Sequence, residues 1–287
     1  MGKEMPSGCR LDGQIAVVTG AAQGLGLGIA TQLAQDGATV VLSDVQLEKT
    51  QAAAARLTKQ GFKVDAAYLD VSDSSGVAAF FDRVVQEHGR LDILVCNAGV
   101  NQAVAPIVEL SDPEWQRVLD VSLDGIFYCC RAAGRIMERQ EAGCIVNISS
   151  INGRHPPALV VAYNVAKAGT IALTKTLALE MAPCGVRVNA VCPGPVYTEL
   201  NERVMAGRAQ SLGVSQDQIV ERIRASIPLG RWGEPEDVAG MVAFLCSPRA
   251  SWITGEEFIV SGGLEGLAVS PPKRPRDNQQ AESTKAD

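Results

Sequence analysis

The sequence predicts an α/β fold, a doubly wound seven-stranded parallel sheet flanked by helices. Three observations carry that expectation. Short apolar runs alternate with amphipathic stretches from residue 14 onward. The runs are apolar on both faces, as strands covered by helices above and below must be. No linker-like stretch interrupts the series, so the strands belong to one sheet and one domain.

Taken in order, Ile15-Ala-Val-Val-Thr19 is the first strand and residues 24–36 the first helix. Thr39-Val-Val-Leu-Ser43 is the second strand, followed by a helix over 46–60. Residues 63–69 and 92–96 give the third and fourth strands around a helix at 73–88. A long helical pattern at 111–138 precedes the fifth strand, 143–148, and another at 161–182 precedes the sixth, 186–191. A helix over 235–246 leads to the last strand, Glu257-Phe-Ile-Val260. Two segments break this rhythm. Residues 199–227 are largely polar, with Arg203, Arg208, Arg222 and Arg224 beside Glu199, Glu202, Asp217 and Glu221. The charges cancel, which reads as a solvated helical face, yet a connection this long in a compact domain is often a lid over a site. Residues 268–287, with three prolines and no aromatic, read as a disordered tail. The catalytic domain therefore spans 1–267, with 199–227 as its substrate lid.

Composition narrows the function classes. The 287 residues are 46% hydrophobic and 20% charged, with 26 basic against 32 acidic side chains and a net charge of −6. Such a balance argues against nucleic acid or an anionic membrane as partner, because phosphate neutralisation needs clustered Lys and Arg. Two histidines and eight cysteines without a Cys-x-x-Cys pair disfavour a zinc site. Scattered, apolar-flanked cysteines and an N-terminus without a signal-like apolar stretch predict reduced thiols in a cytoplasmic protein. His155 could face a polar substrate, or be a solvent-exposed loop residue; Trp115, Trp232 and Trp252 read as core or subunit-contact residues.

The first strand runs directly into Thr19-Gly20-Ala-Ala-Gln-Gly24-Leu-Gly26, and a helix follows. Glycines there let a pyrophosphate approach the main chain, while the helix N-terminus presents free N–H groups and a positive dipole end. The alternative is glycine used for turn geometry alone. Asp44 ends the second strand; a carboxylate at that place accepts hydrogen bonds from an adenosine ribose and repels a 2′-phosphate. With Val45 next and no Lys or Arg in the glycine turn, the reading favours NAD over NADP. Asp44 could instead cap the next helix. Asp70-Val71 and Asn97-Ala98-Gly99 put polar groups at the same carboxyl edge of the sheet. Tyr163 and Lys167 lie four apart in a helical segment and so share a face. A nearby ammonium is expected to lower the phenol's pKa and make it a usable acid or base. Ser150 stands 13 residues before Tyr163, just after the fifth strand.

Together with Pro193-Gly194, Pro228-Leu-Gly-Arg-Trp-Gly-Glu-Pro-Glu-Asp237 and Thr254-Gly255, these motifs resemble the short-chain dehydrogenase/reductase family, single-domain branch, over residues 11–264. The resemblance implies a Rossmann-type fold and a role for each residue. Tyr163 is the general acid/base, Lys167 lowers its pKa and holds the nicotinamide ribose, and Ser150 hydrogen-bonds the reacting oxygen. Gly20, Gln23, Gly24, Leu25 and Gly26 cradle the pyrophosphate, with Asp44 on the adenosine ribose. Asp70 and Val71 flank the adenine, Asn97, Ala98 and Gly99 the neighbouring ribose, and Pro193, Gly194, Val196 and Thr198 the nicotinamide. Ser122 aligns where the family often has an Asn that holds a water of the proton relay; a Ser can still bond that water. Cys96 and Ser261 replace the more usual Asn and Asp of two further motifs. The implied function is NAD-linked interconversion of a secondary alcohol, of polyol, sugar or small hydroxy-ketone type, and its ketone, by a homo-oligomer, commonly a tetramer. A 3-oxoacyl thioester reductase is the alternative within the class. A nicotinamide-binding sensor or scaffold with weak catalysis is the alternative outside it.

Overall fold

A computed structural model of the chain describes residues 10–198, 201–202, 205–207, 209 and 213–265. Seven parallel strands form one sheet in the order β3-β2-β1-β4-β5-β6-β7. They are β1 (Ile15–Thr19), β2 (Thr39–Asp44), β3 (Val64–Tyr68), β4 (Ile93–Cys96), β5 (Gly143–Ile148), β6 (Val186–Pro193) and β7 (Glu257–Val260). The chain winds outward from β1 in one direction, then returns to start again at β4. The β1/β4 border is thus the switch point at which the turns beyond the strands diverge and leave a crevice.

The helices are α1 (Gly24–Gln35), α2 (Leu47–Lys59), α3 (Ser74–His88), α4 (Asp112–Leu119), α5 (Gly125–Gln140), α6 (Val161–Met181), α7 (Gln216–Ser226) and α8 (Pro235–Cys246). One face of the sheet is covered by α1, α2 and α8, through Ile29, Leu33, Leu57, Val242 and Leu245. The other is covered by α3, α5 and α6, through Phe81, Ile126, Met137 and Met181. Strands β1 and β4 are buried along their whole length, as doubly covered strands should be. At the edge, β3 departs from the apolar-on-both-faces pattern: Asp65 and Tyr68 reach solvent because nothing pairs beyond it. The helical stretch expected at 111–138 is broken in the middle. A five-residue π turn, Asp120–Asp124, separates α4 from α5, and such turns often lie beside functional sites. The expected tail, with Glu199, Arg203 and Arg208 of the lid, lies outside the described residues.

Two features fix the ends of the site-forming segments. Asp92, buried just before β4, accepts a hydrogen bond from the Ile15 amide (2.8 Å) and pairs with the Arg90 guanidinium, while its own carbonyl takes the Cys144 amide (2.9 Å). It therefore sets the register of β1, β4 and β5 at their N-terminal ends. The segment that contains residues 199–227 leaves and rejoins the body at one place. A single parallel bridge joins Val196 to Gly233, flanked by hydrogen bonds from Tyr197 N to Gly233 O (2.7 Å) and Gly233 N to Pro195 O (3.0 Å). Between them α7 packs Ile219 against Met205 and Ala209. Among the described residues no helix is long and apolar enough to cross a membrane. Asp92→Ala is expected to destabilise the fold by about 1–3 kcal/mol, the cost of a buried donor left unpaired, measured as a lower urea midpoint.

Candidate active site

A cavity of about 620 Å³ opens at the carboxyl ends of the strands, over the β1/β4 switch point. Its floor is tied together by side chains. The Thr19 hydroxyl accepts the amides of Asn97 and Ala98 (3.0 Å each), and the Asn97 carboxamide donates to the carbonyls of Thr19 and Gly20 (3.0 Å each). The glycine turn is then drawn so close to β4 and α1 that side chains are excluded. A Cβ on Gly20, whose φ is +65°, would lie 2.7 Å from Ala98 Cα, and one on Gly26 would lie 2.2 Å from Gly20 O. Gln23, at the N-terminus of α1, makes no side-chain cap. The first turn of α1 thus keeps amides for an anion, as a pyrophosphate site requires.

The adenosine end is built from the ends of β2 and β3. Both Asp44 oxygens are held by main-chain amides, Ala22 at 3.2 Å and Gln46 at 2.9 Å, and the side chain is buried. Asp44 does not cap α2, whose N-cap, Gln46, has no side-chain cap at all. Asp70 accepts the amide and hydroxyl of Ser72 (2.9 and 2.6 Å), and Val71 packs against Gly125. The Asn97 carboxamide nitrogen is committed to the glycine turn, and Asn97, Ala98 and Gly99 form a wall of the cavity. A cation that the sequence reading missed also stands here: Lys49 of α2 donates to Gln23 Oε1 (3.0 Å). No pattern marks it, because the six residues from Asp44 to Lys49 span the start of a helix.

At the other end Ser150, Tyr163 and Lys167 come together, with Pro193, Gly194, Val196 and Thr198 on the facing wall. Ser150 Oγ accepts the Asn152 amide (3.1 Å), which begins a short 3₁₀ turn and fixes the hydroxyl. Lys167 is buried on α6, and its Nζ donates to the Ile148 carbonyl (2.8 Å). Burial lowers its pKa to about 8. The Tyr163 phenol is pushed above its ordinary range by burial, with the Ser150 hydroxyl pulling it down. Lys167 Nζ lies 5.6 Å from the Tyr163 ring centroid, and its hydrogen bond goes to the main chain.

Ser122 departs from the expected place at the site. It is fully buried on the π turn, and its hydroxyl accepts the Val100 amide (3.0 Å) and donates to the Val100 carbonyl (3.2 Å). Its one proton is thus committed to Val100, and it does not line the cavity. It anchors the Gly99–Asn101 wall instead. Every other expected site residue borders the cavity.

The substrate side adds residues that the sequence left silent: Asn101, Gln102, Asn152, Met205 and Ile223, from four separate segments. Trp232 packs against the small core of Met205, Ala209 and Ile219 and also lines the cavity, its indole N–H donating to Val220 O (3.2 Å). Trp252 is not a core residue, being 98% exposed. His155 lies outside the cavity, exposed and 3.2 Å from Glu265. The seven described cysteines are free. Burial pushes the Cys192 thiol to about 11 and Cys96 higher, which leaves them unreactive.

Comparison with known proteins agrees with this geometry. A family model described as Enoyl-(Acyl carrier protein) reductase matches residues 20–265. The 3-oxoacyl-acyl-carrier-protein reductase FabG of Thermotoga maritima is 36% identical over 255 residues, 89% of this chain and 99% of its own. The solved structure of NAD+-bound xylitol dehydrogenase superposes with a TM-score of 0.84 at 32% identity, covering 88% of this chain and 99% of that one. An actinorhodin polyketide ketoreductase variant with NADPH gives 0.85 at 34%, covering 88% and 98%.

The lysine carries a pH signature. With its folded pKa below the unfolded value of 10.5, the unfolded chain binds more protons between about pH 8 and 10.5, so stability rises with pH across that window. Wild type is expected to gain on Lys167→Met by about 3 kcal/mol over this interval, at about 1.4 kcal/mol per unit, and not below it, in urea titrations at successive pH values.

Proposed function

The chain belongs to the short-chain dehydrogenase/reductase family of oxidoreductases, which use nicotinamide cofactors, and from that premise we propose that it is an NAD-linked dehydrogenase. It interconverts a secondary alcohol, of polyol, sugar or small hydroxy-ketone type, and the ketone. The observation that carries this reading is the convergence of Ser150, Tyr163 and Lys167 at one end of a cavity whose other end is closed by Asp44.

The cofactor fits the residues present: the glycine turn, free of side chains at Gly20, Gly24 and Gly26 where it borders the cavity, and the uncapped start of α1 suit a pyrophosphate. The buried, amide-held Asp44 suits a ribose diol and opposes a 2′-phosphate. When bound, the nicotinamide accepts or supplies the hydride. The protein handles the proton. Tyr163 takes it from the alcohol, or returns it to the ketone, with Ser150 holding the same oxygen. Pushed upward by burial, the phenol rests protonated, ready to donate. Lys167, with its ammonium held at Ile148 O beside the ring, supplies the positive charge that phenolate needs as the proton leaves.

A 3-oxoacyl thioester reductase is the competing reading, supported by the likeness to FabG and to the NADPH-bound ketoreductase. Lys49 beside Gln23 is a cation that would serve its NADPH. We further take the protein to be cytoplasmic and to assemble with copies of itself, as a tetramer. Exposed Phe127 on α5, Val165 on α6, and Ile259 and Trp252 near the β7 edge are apolar surfaces that a second copy would cover.

Nicotinamide absorbance with NAD or NADP and a panel of polyols, sugars, secondary alcohols and hydroxyacyl thioesters tests the assignment. Turnover is expected with NAD, falling about 10²- to 10⁴-fold in Tyr163→Phe. Turnover with NADP and thioesters alone would establish the reductase. Asp44→Ala is expected to shift the NADP/NAD ratio of kcat/KM upward by about tenfold or more, since removing one close like charge is worth at least about 1.4 kcal/mol.

A further inference from the structure

We propose that Gln102 is a positioning residue for Tyr163. It acts by clamping the first turn of α6 and the loop before it to the wall that begins at Asn97. The inference rests on the reading of Tyr163 as the acid/base, and extends it to a residue that carries no chemistry of its own.

Helix α6 needs such a clamp. Tyr163 is its third residue, in the turn whose amides have no intrahelical partner. Helices usually satisfy those amides with a local Ser, Thr, Asp or Asn. Here the N-cap is Val160, which has nothing to offer, and no side chain within the segment takes its place. The acceptor comes from far away in the sequence. Gln102 Oε1 takes the amide of Ala162 at 2.7 Å, across 60 residues. The opposite end of the same carboxamide, Nε2, donates to the carbonyl of Leu159 at 3.3 Å. One side chain thus grips both the helix start and the residue that leads into it.

Leu159 shows why a grip is required. Its φ is +73°, a left-handed conformation that it shares, among the described non-glycine residues, with Glu141 alone. A branched side chain rarely adopts this conformation without being held there. The Leu159 carbonyl is held twice, by Gln102 and by the Ala105 amide (3.1 Å). Asn164, from within α6, donates to Pro157 O (2.7 Å) and steadies the loop from the helix side. Gln102 itself is buried and borders the cavity. Its wall is anchored in turn by Ser122 at Val100 and by Asn97 at Gly20. The carboxamide therefore closes a path from the glycine turn, through Asn97 and Gly99, to the backbone that bears Tyr163. The path sets where the phenol stands relative to a ligand on the glycine turn. Small misplacements of a reacting group are costly, about a hundredfold in rate for about 1 Å.

The test uses two substitutions of similar shape. Gln102→Met removes both hydrogen bonds; Gln102→Glu keeps the acceptor for Ala162 and loses the donor to Leu159. Turnover is expected to fall in the order wild type, Gln102→Glu, Gln102→Met, with kcat of the last lowered about ten- to a hundredfold. The dissociation constant for NADH, read by fluorescence, is expected to stay within about twofold of wild type, since the glycine turn is untouched. A double-mutant cycle separates positioning from plain support. If Gln102 acts through the phenol, Gln102→Met has no further effect on the residual rate of Tyr163→Phe, whereas a general structural role adds its full loss in both backgrounds. Amide hydrogen exchange over residues 158–166 is expected to quicken in Gln102→Met, and this readout needs no substrate. Unchanged exchange there, an unchanged kcat, or additive losses in the cycle would each overturn the proposal. Absence of nicotinamide turnover by the wild type across the panel would instead overturn the reading of Tyr163, while exchange would still report on the clamp.

Discussion

The cleft depends on the pairing of Thr19 with Asn97 across the β1/β4 border. Parallel strands end with their turns pointing apart at a switch point, and nothing in strand pairing brings those turns back together. Here two side chains do so with four hydrogen bonds, two into the Thr19 hydroxyl and two from the Asn97 carboxamide. The consequence is a glycine turn pressed against both α1 and β4, tightly enough that neither Gly20 nor Gly26 could bear a side chain. The wall running from Asn97 to Gln102 then inherits a fixed origin, and from it hang the Ser122 anchor and the Gln102 clamp. Asn97 thus contributes to ligand binding by shaping main chain.

The second organising fact is the burial of Lys167 at the reactive end. Lys167 is buried with one carbonyl for a partner, and Tyr163 is raised by the same loss of solvent. Burial works against the charged form of each group, so neither is at rest as an ion pair with the other. The phenol is kept as a neutral acid until charge develops on its oxygen, and the cation beside it gains in effect because little water screens it. The arrangement is stabilising for the reaction and destabilising for the fold, as preorganised sites commonly are.

Much of the fold was legible because doubly covered strands have a simple signature: Val17, Val18, Val41, Ile93 and Ile145 are apolar whichever face they point to. The signature failed at β3, an edge strand that exposes Asp65 and Tyr68 on opposite faces, and at residues 120–124, where a π turn continues helical periodicity and Ser122 does not reach the cavity. The glycine turn, Asp44, Ser150, Tyr163 and Lys167 were legible because each sits a short distance past a strand end or one helical turn from its partner. Gln102 and Lys49 were not. Their partners are fixed by tertiary placement, Ala162 lying 60 residues away and Gln23 lying 26, and no spacing rule reaches so far. Helical spacing likewise gives proximity of Tyr163 and Lys167, but the Ile148 carbonyl decides where the ammonium is held.

The paired anchor at Val196 and Gly233 has an implication for how such a protein changes over generations. The segment between these residues departs from and returns to one point on the body, so its two ends stay together whatever lies between them. Closing a loop costs free energy only as the logarithm of its length, about 0.6 kcal/mol per doubling. Insertions, deletions or wholesale exchange of the excursion therefore leave the sheet, the glycine turn and the Tyr163 helix nearly indifferent. That excursion can diversify on its own, as an interchangeable cassette on a body that holds its ends fixed.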